Sequence, residues 1–218
     1  MDFDLRPFRD LVAEVAEKEA EAETLDDEDI RNRAQELRND DPGEALVEIF
    51  ALVREASKRR LDQRPYDEQI MAGIALHQGR VAEMQTGEGK TLAAVAPAIL
   101  NALSGKGVHI HTVNDYLARR DAAWMGPIYE ILGVSVGCIQ EGMSVEDRRD
   151  AYNCDVTYVT AKEAGFDLLR DGLCLEPDDR VHRPFHFVIV DEADSILIDE
   201  ARVPLVVAGA TDDPAAGL

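Results

Sequence analysis

The spacing of hydrophobic positions changes near residue 42, and this change divides the chain into two regions. Between residues 8 and 37, apolar side chains recur at helical spacing among many charged positions. The pattern predicts an acidic N-terminal helical arm over residues 1–42, exposed to solvent. Asp41, Pro42 and Gly43 interrupt it, and a helix with one buried face is expected over residues 44–60.

Beyond residue 60, short apolar runs alternate with helical patterns, which is typical of an α/β fold. Five strands are expected, at residues 81–84, 108–112, 135–138, 156–159 and 185–190. Helices are expected among them, at residues 91–103, 115–132, 145–152 and 163–169. This order predicts a mostly parallel sheet joined by right-handed crossovers, in a domain that spans residues 43–209.

The net charge of the chain limits the kinds of molecule that it is expected to bind. Its 23 Lys and Arg residues against 44 Asp and Glu residues give a net charge of −21. Such acidity provides no general attraction to nucleic acid or anionic lipid. No apolar stretch approaches the ~18 to 20 residues of a membrane-spanning helix. The acidic start, Met1-Asp2-Phe3-Asp4, lacks the features of a secretory signal, so a cytoplasmic location is expected.

The strongest candidate for chemistry is a glycine-rich sequence between an expected strand and an expected helix. It consists of Met84, Gln85, Thr86, Gly87, Glu88, Gly89, Lys90 and Thr91. Gly87 and Gly89 allow the backbone to curl around a phosphate, and the following helix adds the positive end of its dipole. Lys90 is expected to reach the outer phosphates, and Thr91 to direct its hydroxyl at Mg²⁺. A turn without any ligand is the alternative, and Met84 replaces the glycine of the strict pattern.

Two adjacent carboxylates, Asp191 and Glu192, follow the last expected strand. Because ligands bind at the carboxyl ends of parallel strands, Asp191 and Thr91 can converge on one metal ion although they are about 100 residues apart. We expect Asp191 to hold Mg²⁺ through water, and Glu192 to orient or deprotonate the attacking water. An acidic pair alone is more often a helix cap, but together with Lys90 and Thr91 the catalytic interpretation is favoured.

Other conspicuous side chains give weaker indications. The single tryptophan, Trp124, is interpreted as a core or helix-packing residue. His109 and His111 share one face of an expected strand, but a metal site there is disfavoured. His182 and His186 are four residues apart, and Pro184 prevents the helix that would align them.

The two motifs, with the sequence Asp-Glu-Ala-Asp at residues 191–194, resemble the first RecA-like domain of superfamily-two motors. Further stretches are similar to the SecA preprotein translocase family rather than to helicases. They are residues 53–59, 64–69, 105–109, 112–121 and 194–202, followed by Pro204 and Leu205. The family commonly has other residues at Val159, Ala161 and Lys162, so the chain is identified as a divergent or accessory member. Ala193 also differs from the family, with little chemical consequence.

This resemblance implies a P-loop ATPase with ATP and Mg²⁺ as its ligands. It implies that Gln69 hydrogen-bonds the adenine edge and that Tyr66 or Arg64 packs beside the ring. It also implies a second RecA-like domain with an arginine finger, absent from this sequence, and a preprotein-binding domain towards which residues 210–218 begin to cross. The sheet is therefore expected to be incomplete.

In the full-length protein the implied partners are the Sec translocation channel and unfolded preproteins, and a homodimer is one option. The implied location is the cytoplasmic face of the plasma membrane, bound peripherally. This chain alone is expected to bind ATP weakly and hydrolyse little, because an arginine finger contributes about 10³ to 10⁵ in turnover.

Two other functions stay open at this point. One is a fragment of a DEAD-type nucleic-acid helicase, which the net charge of −21 and residues 195–202 disfavour. The other is a non-catalytic truncated paralogue, a binding module whose acidic arm recruits a partner.

Overall fold

The computed structural model describes residues 4–38 and 40–206, and all elements named below lie within these ranges. The helices are α1 Arg6–Ala22, α2 Asp27–Glu36, α3 Pro42–Leu61, α4 Asp67–His77, α5 Lys90–Ala93, α6 Val95–Ala102, α7 Asp115–Ile131, α8 Val145–Asn153 and α9 Ala161–Asp171. The strands are β1 Val108–Thr112, β2 Val136–Cys138, β3 Val156–Thr160 and β4 Phe187–Val190. A 3₁₀ turn at Pro177–Asp179 and a π-helical turn at Ser195–Asp199 flank β4.

The four strands form one parallel sheet in the order β2-β3-β1-β4. Val108 of β1 lies opposite Val156 of β3 on one side and Phe187 of β4 on the other. Every residue of β3 is buried, as expected for a strand covered on both faces. The predicted α/β fold with a mostly parallel sheet is therefore confirmed. The carboxyl ends of β1 and β4 are neighbours at one edge of this sheet.

The strand predicted at residues 81–84 is not a strand in the structure. These residues have no regular secondary structure and no strand partner among the described residues, and Val81 is 91% exposed. A strand exists only where a neighbour accepts and donates its backbone hydrogen bonds, and alternation of apolar residues cannot guarantee that neighbour. Within the described ranges β4 pairs with β1 alone. The predicted incompleteness of the sheet stays a prediction.

The helix predicted at residues 91–103 is divided into α5 and α6 by a turn at Ala94. Pro97 accounts for the break, because it has no N–H to donate to the carbonyl of Ala93. Gly73 of α4 lies against this point, where a Cβ would come within 3.0 Å of the Ala93 carbonyl oxygen. Glycine at position 73 thus allows α4 to pack closely beside the turn between α5 and α6.

The N-terminal helices pack on the rest of the chain along one face. Their buried apolar residues belong to the same cluster as α3, α6 and β1, and they are Phe8, Val12, Val15, Ala22, Ile30, Ala34 and Leu37. The arm expected to be exposed therefore has one buried face and one solvated acidic face. The division of the chain at residue 42 stays a prediction.

In the part of the chain that the structure describes, no helix is both long enough and apolar enough to cross a bilayer.

Candidate functional site

The glycine loop makes a tight turn before α5. Gly87 and Gly89 have φ angles of 92° and 80°, in the left-handed region that other residues rarely adopt. The side chain of Glu88 stabilises the turn by accepting a hydrogen bond from the Gln85 amide at 2.7 Å. The Glu88 amide in turn donates to the Gln85 carbonyl at 3.2 Å. The loop therefore keeps its shape through its own bonds.

Gln69 connects the start of α4 to this loop. Its side-chain amide donates to the Glu88 carbonyl at 2.8 Å, and its side-chain oxygen accepts from the Tyr66 amide at 2.8 Å. A Cβ on Gly89 would approach the Gln69 Nε2 to 2.2 Å, so a larger residue there would displace the Gln69 side chain from the Glu88 carbonyl. These bonds leave one hydrogen and one lone pair of the Gln69 amide for other partners. Its contact with an adenine edge stays a prediction.

Asp191 lies at the carboxyl end of β4, where its amide extends the ladder by donating to the His111 carbonyl at 2.9 Å. Its carboxylate accepts a hydrogen bond from the Glu192 amide at 3.0 Å. Burial raises the pKa of Asp191 above its usual value, and the neighbouring charge of Glu192 raises the pKa further. Such a carboxylate is stabilised when a cation comes beside it.

Glu192 has a φ angle of 54°, which is uncommon for a residue with a side chain. This backbone conformation accompanies an ion pair in which the Glu192 Oε1 lies 3.3 Å from the Lys90 Nζ. The side chains of Lys90 and Glu192 are 29% and 43% exposed, so water reaches the pair. The structure thus brings the lysine of the glycine loop to the acidic end of β4.

A cavity of about 1150 Å³ opens beside the glycine loop. Seven predicted binding residues line it, namely Arg64, Tyr66, Gln69, Gly87, Glu88, Gly89 and Thr91. Its volume is sufficient for a small-molecule ligand of nucleotide size. Lys90, Asp191 and Glu192 lie outside this lining, at the end of β4. The cavity lining and the acidic end of β4 are nevertheless adjacent, because Lys90, which contacts Glu192, directly precedes Thr91, which lines the cavity.

Arg64 and Tyr66 differ in how firmly they are held. The guanidinium of Arg64 makes two hydrogen bonds of 2.6 Å to the carboxylate of Glu19 in α1. Tyr66 is 71% exposed at the mouth of the cavity. The packing of either side chain against an adenine ring stays a prediction, and the partner of Arg64 was not predicted.

Arg54 of α3 is another residue of this region that sequence analysis missed. It is fully buried, its Nε donates to the Pro65 carbonyl at 2.9 Å, and its Nη2 donates to Asp67 at 2.5 Å. A signal was available, because Arg54 lies four residues after buried Phe50 and thus on the apolar face of its helix. Charged residues on such a face require partners.

Trp124 is not a core residue, which corrects one of the two interpretations made from the sequence, and its role in helix packing stays a prediction. It is 43% exposed and lines the cavity beside the glycine loop. The single tryptophan therefore lies at the surface of this cavity.

The donors at this site fit a magnesium ion that is bound together with a phosphate. Thr91 and Asp191 offer hard oxygen ligands, and Mg²⁺ is usually held by one or two protein oxygens, with water and phosphate completing its shell. Among the described residues there is no group of three His, Cys, Asp or Glu side chains that could hold a metal alone.

A parallel α/β sheet, a glycine loop leading into a helix, and an acidic strand end beside the loop lysine define the class of RecA-like P-loop nucleotide-binding domains. The chain belongs to the SecA family, because the family model described as the SecA DEAD-like domain matches residues 1–217.

Curated relatives agree with this family. The chain is 52% identical over 216 residues to the protein translocase subunit SecA of Rubrobacter xylanophilus. This match covers 97% of this chain and 24% of the relative. The SecA proteins of Gloeothece citriformis and Maridesulfovibrio salexigens are 53% and 51% identical, over 96% of this chain and 24% and 26% of their own lengths. The chain spans about a quarter of the length of these relatives.

Proposed function

We propose that this chain binds ATP with Mg²⁺ between the glycine loop and the carboxyl end of β4. The observation that carries the proposal is the contact of 3.3 Å between Lys90 and Glu192. It places a lysine of the loop beside an acidic pair from a distant strand, which is the arrangement a metal-bound triphosphate requires. The cavity next to the loop provides room for the base and ribose.

Lys90 is proposed to exchange its partner when nucleotide binds. Without a ligand its ammonium pairs with Glu192, and phosphate oxygens offer a stronger, charge-assisted set of acceptors. Binding would then leave Glu192 free to orient or deprotonate a water molecule. Thr91 and Asp191 would hold Mg²⁺, which neutralises charge on the phosphates. Asp191, which is half-buried and whose pKa is raised by that burial, gains a cation in this way.

The base is proposed to lie in the cavity against the segment before α4. Gln69, fixed by its bonds to Tyr66 and Glu88, would use its remaining hydrogen and lone pair on the adenine edge. The exposed ring of Tyr66 is available for stacking, as is the planar guanidinium of Arg64. Gly87, Glu88 and Gly89 would contribute the backbone around the phosphates.

The whole protein is proposed to be a motor that couples ATP hydrolysis to movement of preproteins through the Sec channel. Support comes from the family and from relatives named as translocase subunits. A second RecA-like domain would close the site, and peripheral attachment to the cytoplasmic membrane face and a homodimer are further proposals. The helicase alternative is not favoured, because the family model and the relatives are those of SecA.

Calorimetry with ATP and Mg²⁺ tests the nucleotide proposal. The expected result is saturable heat with the unaltered chain and little or none with Lys90→Ala. Absence of heat from the unaltered chain, or equal heat from both, would remove the proposal. Hydrolysis by residues 1–218 alone is expected to be at or below a basal rate, because the proposed whole protein would add an arginine from a second RecA-like domain.

A further inference from the structure

Glu19 is an acidic residue on the apolar face of α1. It follows Val15 by one helical turn and is buried with it. Its two carboxylate oxygens each accept a 2.6 Å hydrogen bond from the Arg64 guanidinium, and Oε2 also lies 3.5 Å from the Arg54 Nη1. Two guanidinium groups thus converge on one buried carboxylate, whose charge is compensated by directional bonds.

Both arginines hold the segment between α3 and α4. Arg64 belongs to this segment, and Arg54 binds it through the Pro65 carbonyl at 2.9 Å and the Asp67 carboxylate at 2.5 Å. Glu19 therefore joins three parts of the chain, namely α1, α3 and residues 64–67. A planar, two-bond contact between Arg64 and Glu19 fixes orientation as well as distance.

The same segment leads directly to the glycine loop. Tyr66 donates its amide to the Gln69 side chain, which donates to the Glu88 carbonyl. A continuous series of polar contacts thus runs from the N-terminal helix to the side of the cavity where the base is proposed to bind. The phosphate loop also has a bond of its own, because the Glu88 side chain accepts a hydrogen bond from the Gln85 amide.

We infer that Glu19 is a positioning residue for recognition of the nucleotide base. It holds Arg64 and, with Arg54, the segment that presents Tyr66 and Gln69 to the cavity. This role rests on the proposed nucleotide function. It concerns recognition of the base and not of the phosphates. Loss of Glu19 is expected to lower selectivity for adenine while binding of the triphosphate by the glycine loop remains.

The test compares affinities for ATP and GTP, each with Mg²⁺, in the unaltered chain and in Glu19→Gln. The two nucleotides share their phosphates and differ in the base. We expect the ATP affinity to fall about 10-fold, the effect of losing one good hydrogen bond to a charged group, and the GTP affinity to change less than 2-fold. The ratio of the two dissociation constants is the readout, because a purely structural role would alter both alike.

Glu21→Gln is the matched control, because Glu21 lies on the same helix in an exposed pair with Lys18. It should leave both affinities unchanged. If Glu19→Gln does not fold, Glu19→Asp carries the same comparison, since it keeps the charge and shortens the reach of the carboxylate towards Arg64. Equal weakening of ATP and GTP, or no change of either in a folded variant, would overturn the inference. If the unaltered chain binds neither nucleotide, the proposed function itself fails and the inference with it.

Discussion

The two sides of the candidate site are built differently. On the side of the base, Arg54 is fully buried and makes hydrogen bonds of 2.9 Å and 2.5 Å to the segment before α4. On the side of the phosphates, Lys90 and Glu192 share one contact of 3.3 Å and are partly open to water. Buried, multiply bonded groups are costly to disturb, whereas an open ion pair contributes little to stability.

This difference indicates which parts are fixed before a ligand arrives. The segment that carries Tyr66 and Gln69 is held by several bonds, so its shape does not depend on nucleotide. Lys90 and Glu192 can separate at small cost, which suits groups that must turn to phosphate and water. The predictions below test this contrast, from the largest expected effect to the smallest.

Arg54→Leu should cause the largest loss of stability. Removing the guanidinium leaves the Glu19 carboxylate with one fewer cation inside the protein, and breaking a buried pair costs about 3 to 5 kcal/mol. Urea denaturation measures the change in the free energy of unfolding. Arg60→Leu is the control, because Arg60 lies on the same helix in an exposed pair with Asp27. A loss below about 1 kcal/mol for Arg54→Leu would mean that the base side is not firmly held.

Lys90→Ala should act on binding and hardly on folding. Charge-assisted hydrogen bonds contribute about 1.5 to 3 kcal/mol each, so the ATP dissociation constant should rise about 10- to 100-fold. The melting temperature should stay close to that of the unaltered chain, because only one exposed pair is lost. Calorimetry and thermal melting together check both parts. A large fall in melting temperature with unchanged ATP affinity would show that Lys90 serves folding and not nucleotide binding.

Gly89→Ala should destabilise the chain more than Gly87→Ala. Both glycines have positive φ, which costs a residue with a Cβ about 1 to 2 kcal/mol. A Cβ at Gly89 would also approach the Gln69 Nε2 to 2.2 Å, whereas one at Gly87 would meet nothing within 4 Å. Chemical denaturation measures the free energy of unfolding of each variant. The difference between the two values therefore reports how much the contact between the glycine loop and Gln69 contributes. Equal losses would show that this contact has little influence.

The smallest effect is expected for the pair of Lys90 and Glu192 itself. A double-mutant cycle with Lys90→Met and Glu192→Gln should give a coupling below about 1 kcal/mol that decreases further in salt. Unfolding free energies of the four proteins at low and high salt provide the measurement. Coupling above about 2 kcal/mol would place this pair with the buried network instead and remove the contrast between the two sides.

Much of the fold could be predicted because its signals are local. The spacing of apolar residues indicated β1, β3 and α7 within a residue or two, since each buries a face that the sequence repeats. The segment at residues 81–84 could not be predicted in the same way. Its alternation resembles a strand, but a strand also needs a neighbour, and that information lies elsewhere in the chain.

The residues of the candidate site also divide into those that the sequence could predict and those that it could not. The glycine loop and the acidic pair were recognisable because each is a short continuous motif with its own chemistry. Glu19 and Arg54 were not, although both lie on apolar helix faces, because their meaning appears only when α1 packs against α3. Trp124 was misjudged for a related reason, since composition favours burial while its helix presents it to the cavity.

Nuclear magnetic resonance of the backbone amides gives the most direct test of the central claim, that the glycine loop and the end of β4 form one nucleotide site. Adding ATP with Mg²⁺ to the labelled chain should shift the amides of Gly87, Gly89, Thr91, Asp191 and Glu192 together, with a single dissociation constant. Shifts confined to one of these two segments, or no shifts in either at saturating nucleotide, would contradict the account.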